Sequence, residues 1–290
     1  MSKKRRVEIL VLSDLHLGTY GCHATELLVY LKSIKPEVVI LNGDVIDIWQ
    51  FNKRYWPKSH MKIVKHIFSW ISKGIPVHYI CGNHDEMLRK FNGFEIGSLS
   101  IKNKLSLELG DKKALFFHGD VFDFTMKNSR WLTKAGAIGY DTLILVNAFV
   151  NFCSNLIGLR KVSFSKTIKD SVKGAVKFIN DFEQTTADFG INNLYDYVVC
   201  GHIHRPEIKM LSNFKGEIMY LNSGDWVENL TSLEYNDSKW SIYRHVSSPL
   251  DVLKDGSDEE QEDELEGTDL VDKSSSELFA MMFNDIMTKQ

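Results

Sequence analysis

Leu12-Ser13-Asp14-Leu15-His16-Leu17-Gly18 (LSDLHLG) closes an apolar run, Val7-Glu8-Ile9-Leu10-Val11-Leu12. The run reads as a buried strand that delivers Asp14 and His16 to its carboxyl end. Residues two apart on extended chain point the same way, so both side chains can reach one ion. A lone Asp-x-His is common by chance. Here it opens a series of five polar clusters whose order decides the fold.

Working outward, Ala24 to Ile34 carries Leu27, Leu28, Leu31 and Ile34 at helical spacing and stops before Pro36. Val38 to Leu41 reads as a second buried strand, with Asn42-Gly43-Asp44 at its end. An aromatic, basic segment from Trp49 to Trp56 follows, and then a helix over Met61 to Ile71. Pro76 to Cys81 is a third strand, ending in Gly82-Asn83-His84-Asp85. This alternation predicts an α/β chain with right-handed crossovers and a largely parallel sheet. All three clusters fall on the edge where such sheets place their sites.

Leu105 to Leu109 and Ala114 to Phe117 form an expected strand pair that delivers His118-Gly119-Asp120. From about Val121 to Leu194 the chain reads as helical and carries no such cluster. Tyr197 to Cys200 is again a strand, ending in Gly201-His202-Ile203-His204. Hairpin strands are expected at Ile208–Leu211, Ile218–Asn222, Leu230–Tyr235 and Trp240–Tyr243.

With 43% hydrophobic and 25% charged residues among 290, the composition is that of a globular protein with room for a sizeable core. Cys22, Cys81, Cys153 and Cys200 lack metal-type spacing, and no signal peptide precedes them, so a reduced cytoplasmic protein is expected. The net charge of −3 hides a split, with 32 Lys and Arg against 25 Asp and Glu up to Leu250. A mildly basic body suits an anionic substrate, or contact with the cytoplasmic face of a membrane. It lacks the basic tract a nucleic-acid enzyme would use, so no nucleic-acid partner is expected. The acidic stretch at 246–276 reads as a disordered linker, and 277–290 as a short helix or tail whose partner is unknown.

Asp14, His16, Asp44, Asn83, His84, His118, His202 and His204 together are oxygen and imidazole donors with no nearby cysteine. That donor set suits Mn²⁺, Fe or Zn²⁺ at a reactive site better than a structural zinc. The donors exceed one ion's need, and two ions sharing a carboxylate would use them economically. In order and spacing the clusters resemble the calcineurin-like metallophosphoesterases over most of residues 7–245. The resemblance implies a four-layer αββα sandwich, a metallophosphoesterase domain at 1–245 with a helical cap insertion at about 121–195. It also implies that Asp14, His16 and His204 hold one divalent metal, with Mn²⁺ first among candidates. Asn83, His118 and His202 would hold the second, and Asp44 would bridge. A metal-bound hydroxide would attack phosphorus, with His84 as a catalytic contact to phosphate or leaving oxygen. Asp47, Asp85 and Asp120 would orient the histidines.

Substrate class is sought in the insertion. Thr142 to Leu159 is apolar apart from Asn147, Asn151 and Asn155 and a few small hydroxyls, and reads as a core helix or an acyl-facing wall. Lys166, Lys169, Lys173 and Lys177 follow at spacings that place them on one helical stripe, either a solvated face or an anion contact. Arg89 joins them as an expected substrate contact. An apolar and basic cap on this scaffold resembles the UDP-2,3-diacylglucosamine diphosphatases of lipid A biosynthesis. SDLHLG, His118-Gly119-Asp120, GHIHRP and LNSGDW fit that group. Where that group carries Gly-Asn-Arg-Asp, this chain has Gly-Asn-His84-Asp. The implied reaction splits UDP-2,3-diacylglucosamine into UMP and 2,3-diacylglucosamine 1-phosphate. The alternatives are a metallophosphoesterase of nucleotides, nucleic acid or phosphoproteins, and a non-catalytic binding module.

Overall fold

The computed structural model describes residues 4–48, 55–122 and 165–246, with the side chains of 165–173 outside that description. The apolar stretch at 142–159, most of the aromatic segment at 49–54, the acidic linker and the terminal helix lie outside the described residues. So do the side chains of Lys166, Lys169 and Lys173.

Twelve strands form two mixed sheets among the described residues. β1 (Arg5–Leu12), β2 (Ile34–Asn42), β3 (Val77–Ile80) and β5 (Leu99–Lys102) run parallel in the first. Antiparallel β4 (Glu95–Ile96) borders β5, while β11 (Thr231–Asn236) and β12 (Lys239–Arg244) extend the sheet beyond β1. In the second sheet β7 (Lys112–Phe116), β8 (Tyr197–Cys200) and β10 (Gly216–Asn222) are parallel. Its edges are antiparallel β6 (Leu105–Leu109) and β9 (Glu207–Asn213).

Three apolar layers follow from period-two side-chain alternation. Leu10 and Leu12 of β1, Val39 and Leu41 of β2, and Val77 and Tyr79 of β3 face α1 (Ala24–Ser33) and α2 (Lys58–Ile71). The intervening Ile9, Val11, Ile40 and Ile80 face the second sheet, where they meet Leu105, Ala114, Phe116, Val199 and Leu221. That sheet's other face, Leu115, Phe117, Val198, Cys200 and Tyr220, receives Phe182, Ala187 and Ile191 of α3 (Ser165–Asn192). The order helix, sheet, sheet, helix is the expected four-layer sandwich. Strands covered on both faces read as continuous apolar runs, which is why they stood out in the sequence.

Two differences from the sequence reading have physical causes. β2 begins at Ile34, directly after α1, and includes Pro36. β3 joins β2 only from Val39, so Pro36 has a single neighbouring strand, where a missing N–H is tolerated. The β4–β5 hairpin escaped notice because both strands are short. In agreement with the helical reading to about Leu194, α3 runs to Asn192, and from Phe182 onward it is the outer layer over the second sheet.

Phe116 is fully buried between the sheets, beside the Trp240 ring. Phe116→Ala is expected to cost about 3–5 kcal/mol of stability, read as a lower denaturation midpoint at unchanged slope.

Candidate metal centre

Every expected donor lies on a loop leaving the carboxyl end of a strand. Asp14 and His16 follow β1, Asp44 follows β2, and Asn83 and His84 follow β3. His118 follows β7, and His202 and His204 follow β8. Within each sheet, neighbouring loops are stitched together by backbone hydrogen bonds. Asp14 N–H donates to the Gly43 carbonyl (3.0 Å), His16 N–H to that of Asp44 (3.0 Å), and Gly201 N–H to that of His118 (3.0 Å). Asn42 Nδ2 crosses between sheets to the Phe117 and Val199 carbonyls at 3.2 and 3.4 Å. This crossing role was missed in the sequence, although Asn42 stands directly before Gly43-Asp44.

The donors fall into two groups. Asp14, His16 and His204 place one ligand atom each within 4.8 Å of one another, and so do Asp44, His118 and His202. His204 Nε2 lies 3.2 Å from Asp14 Oδ1 and 3.4 Å from His16 Nε2, and His118 Nε2 lies 3.2 Å from Asp44 Oδ2. A third group, His16, Asp47 and His84, centres on Asp47 Oδ2, which is 3.3 Å from His16 Nδ1 and 2.9 Å from His84 Nδ1. Asp47 thus orients two imidazoles through their Nδ1 edges, as a carboxylate behind metal-binding histidine does.

Asp85 and Asp120 act differently from the expectation that they orient histidines. Asp85 receives the N–H groups of Gly82 (2.6 Å) and Val45 (3.0 Å) and the Tyr79 hydroxyl (2.6 Å), so it braces the Asp44 and Asn83 loops. Asp120 pairs with Arg89 at 2.7 Å. Arg89 also donates through the same Nη2 to the Cys81 and Gly82 carbonyls, which ties that edge of its guanidinium to the loop's framework. Of the four lysines on the expected stripe, Lys177 is within the described side chains and is exposed.

The residues fit divalent cations. Asp14 and Asp44 are 0% and 2% exposed. The buried atoms Asp14 Oδ1, Asn83 Oδ1 and His118 Nε2 make no hydrogen bond of acceptable geometry among the described residues. Buried lone pairs turned toward one another are costly unless a cation or proton lies between them. Protons take that place in the metal-free chain. Burial opposes charge on both members of each pair, yet Asp14 raises the His204 pKa to about 9 and Asp44 raises that of His118 well above the ordinary range. The same contacts hold both carboxylates below their usual range.

Two glycines make room for the donors. A Cβ on Gly82 would stand 2.2 Å from Asp44 Oδ1, and one on Gly201 would stand 2.4 Å from Asp14 Oδ2.

The calcineurin-like phosphoesterase family model matches residues 7–206. A UDP-2,3-diacylglucosamine hydrolase of Aliivibrio fischeri is 24% identical over 249 residues, covering 81% of this chain and 98% of its own length. One from Blochmanniella pennsylvanica is 24% identical over 245 residues, covering 81% and 95%. Among solved structures, the phosphoesterase Yfce of E. coli aligns with 81% of this chain and 92% of its own at 15% identity, with a TM-score of 0.37.

Gly82→Ala and Gly201→Ala are expected to retain the far-ultraviolet circular dichroism of the parent and to bind metal at least about tenfold more weakly by elemental analysis. In EDTA, the raised imidazoles contribute stability that is full below about pH 6.5 and declines as pH rises through about 9. The depressed carboxylates contribute stability that is lost as pH falls below about 4. The melting temperature of the metal-free chain should therefore fall from pH 6.5 to 9. Added Mn²⁺ should reverse that trend, because ligation requires neutral imidazole.

Proposed function

Because the chain belongs to the calcineurin-like phosphoesterase family, we propose that it hydrolyses the pyrophosphate of UDP-2,3-diacylglucosamine to UMP and 2,3-diacylglucosamine 1-phosphate. The observation that carries the reading is the pair of three-donor groups, each built on a buried carboxylate, at the seam of the two sheets. The substrate reading is supported by two relatives carrying that name, each 24% identical and matched over 95% or more of its own length.

Asp14, His16 and His204 would hold one divalent cation, and Asn83, His118 and His202 the other, with Asp44 between. When bound, two such ions, Mn²⁺ first among candidates, stabilise charge on the phosphoryl oxygens and lower the pKa of water. His84 acts at the phosphate. Its side chain is 29% exposed, and Asp47 at Nδ1 sets the tautomer and orientation of the ring. Burial opposes protonation of His84, but Asp47 overcomes it and raises the pKa. A protonated imidazole there can give its proton to the bridging oxygen as the phosphorus–oxygen bond breaks.

Helix α3 would offer Lys166, Lys169, Lys173 and Lys177 to the sugar phosphate, with the apolar stretch at 142–159 beside the acyl chains. No described helix is long and apolar enough to cross a membrane. Peripheral contact with the inner membrane's cytoplasmic face would give the enzyme access to its lipid substrate.

Purified protein should release UMP from UDP-2,3-diacylglucosamine with Mn²⁺ and not with EDTA, at a kcat/KM well above that for an aryl phosphodiester. Turnover of the aryl ester alone would discard the lipid substrate and favour another phosphodiester. His84→Ala should keep its metal content and lose roughly 10²-fold or more in kcat. Full activity would remove His84 from the reaction.

A further inference from the structure

Beside the β1 loop lies a cleft of about 280 Å³ that plays no part in the chemistry above. One wall is an aromatic pair. The Tyr20 and Tyr55 rings lie 3.7 Å apart at a tilt of 34°. Tyr20 is nevertheless 82% exposed, so much of its ring remains open beyond Tyr55. The floor is His60, which is 2% exposed. Its Nδ1 accepts the Gly18 N–H at 2.9 Å, which assigns the proton of the neutral ring to Nε2. Among the described residues no hydrogen bond reaches that Nε2, and His60 lines the cleft.

Thr25, Glu26 and Ser59 complete a polar rim. Glu26 is a carboxylate acceptor that pairs through Oε1 with His23 at 3.4 Å. The first turns of α1 and α2 both border the cleft, and neither has a side-chain cap. One wall therefore stacks, one buried group donates, and another group accepts. A planar heterocycle with alternating carbonyl and N–H edges meets all three. The cleft suits one such ring rather than a whole ligand.

Position links this cleft to the metal loops. Tyr20 is four residues from His16, at most roughly 14 Å along extended chain. The Thr19 N–H to His16 carbonyl bond (3.2 Å) tightens that span. The base of a nucleoside monophosphate lies well inside that upper limit from its phosphorus. Resting on the function proposed above, we propose that the Tyr20–Tyr55–His60 cleft is the base subsite for the nucleoside end of the substrate. Tyr20 stacks on the base, and His60 Nε2 donates to a ring carbonyl.

The test compares UMP with ribose 5-phosphate, which lacks the base, by calorimetry on the Mn²⁺-loaded full chain. The parent should bind UMP at least about fivefold tighter, the scale of one base stacked on one aromatic ring. Tyr20→Ala should remove that advantage, and Tyr20→Phe should keep it. Phe214→Ala, at an exposed hairpin tip far along β9, should leave it intact. Equal binding of the two ligands by the parent, or an advantage that survives Tyr20→Ala, overturns the subsite. If the Tyr20-dependent advantage appears but the diacylated substrate is not hydrolysed, the subsite stands and the lipid reading fails.

Discussion

Five of the seven expected metal donors hold their backbone in the left-handed region. Asp14, His16, Asp44, His202 and His204 have φ between 48° and 69°. Each such residue costs on the order of 1–3 kcal/mol, so together they approach the whole stability of an ordinary domain. The strain persists because the layers on either side over-determine the loops. The apolar strands beneath are covered on both faces, neighbouring loops of each sheet exchange backbone hydrogen bonds, and Asn42 and Asp14 bond across the seam through their side chains. A left-handed turn straight after a strand swings the next side chain back over the strand end. That is how donors from five separate strands come to face one another. A cation bound among them offsets part of the strain and the cost of burying Asp14 and Asp44.

The surrounding residues divide into those that set imidazoles and those that set loops. Asp47 reaches two rings through one oxygen. Asp85 bonds to no imidazole among the described residues, but with three donors around it, it ties the Asp44 loop to the Asn83 loop. Asn229 holds the His204 carbonyl at 2.8 Å, and His202 N–H donates to Asp14 Oδ2 at 3.1 Å. Phe182 packs toward the His202 ring with centroids 6.0 Å apart. Through it, helix α3 rests directly on the metal centre.

Much of this was legible in the chain. Strands covered on both faces advertise themselves as short apolar runs, and each was followed at once by its polar cluster, so the order of elements and the donors emerged together. The left-handed backbone was not legible, because Asp and His carry no glycine-like mark of it. Neither was the role of Asp85, whose partners are two N–H groups and a tyrosine from β3. The pairing of β11 with β1 across more than 200 residues also left no local trace, since antiparallel register is set by the sheet and not by either strand alone. The cleft at Tyr20 was invisible for a similar reason. It exists only where the starts of two helices meet the β1 loop.

The strand order has a consequence for the chain as a whole. Residues up to 122 contribute β1 to β7, and those after 165 contribute β8 to β12, so each half supplies strands to both sheets. Each three-donor group likewise straddles the two halves, since His204 completes Asp14 and His16, and His202 completes Asp44 and His118. A ribosome must therefore make two-thirds of the protein before either group can close. Ion capture then becomes a report on long-range assembly. A chain cut between its halves would bind metal only by reassembling them, which makes the site a natural sensor for split-protein complementation.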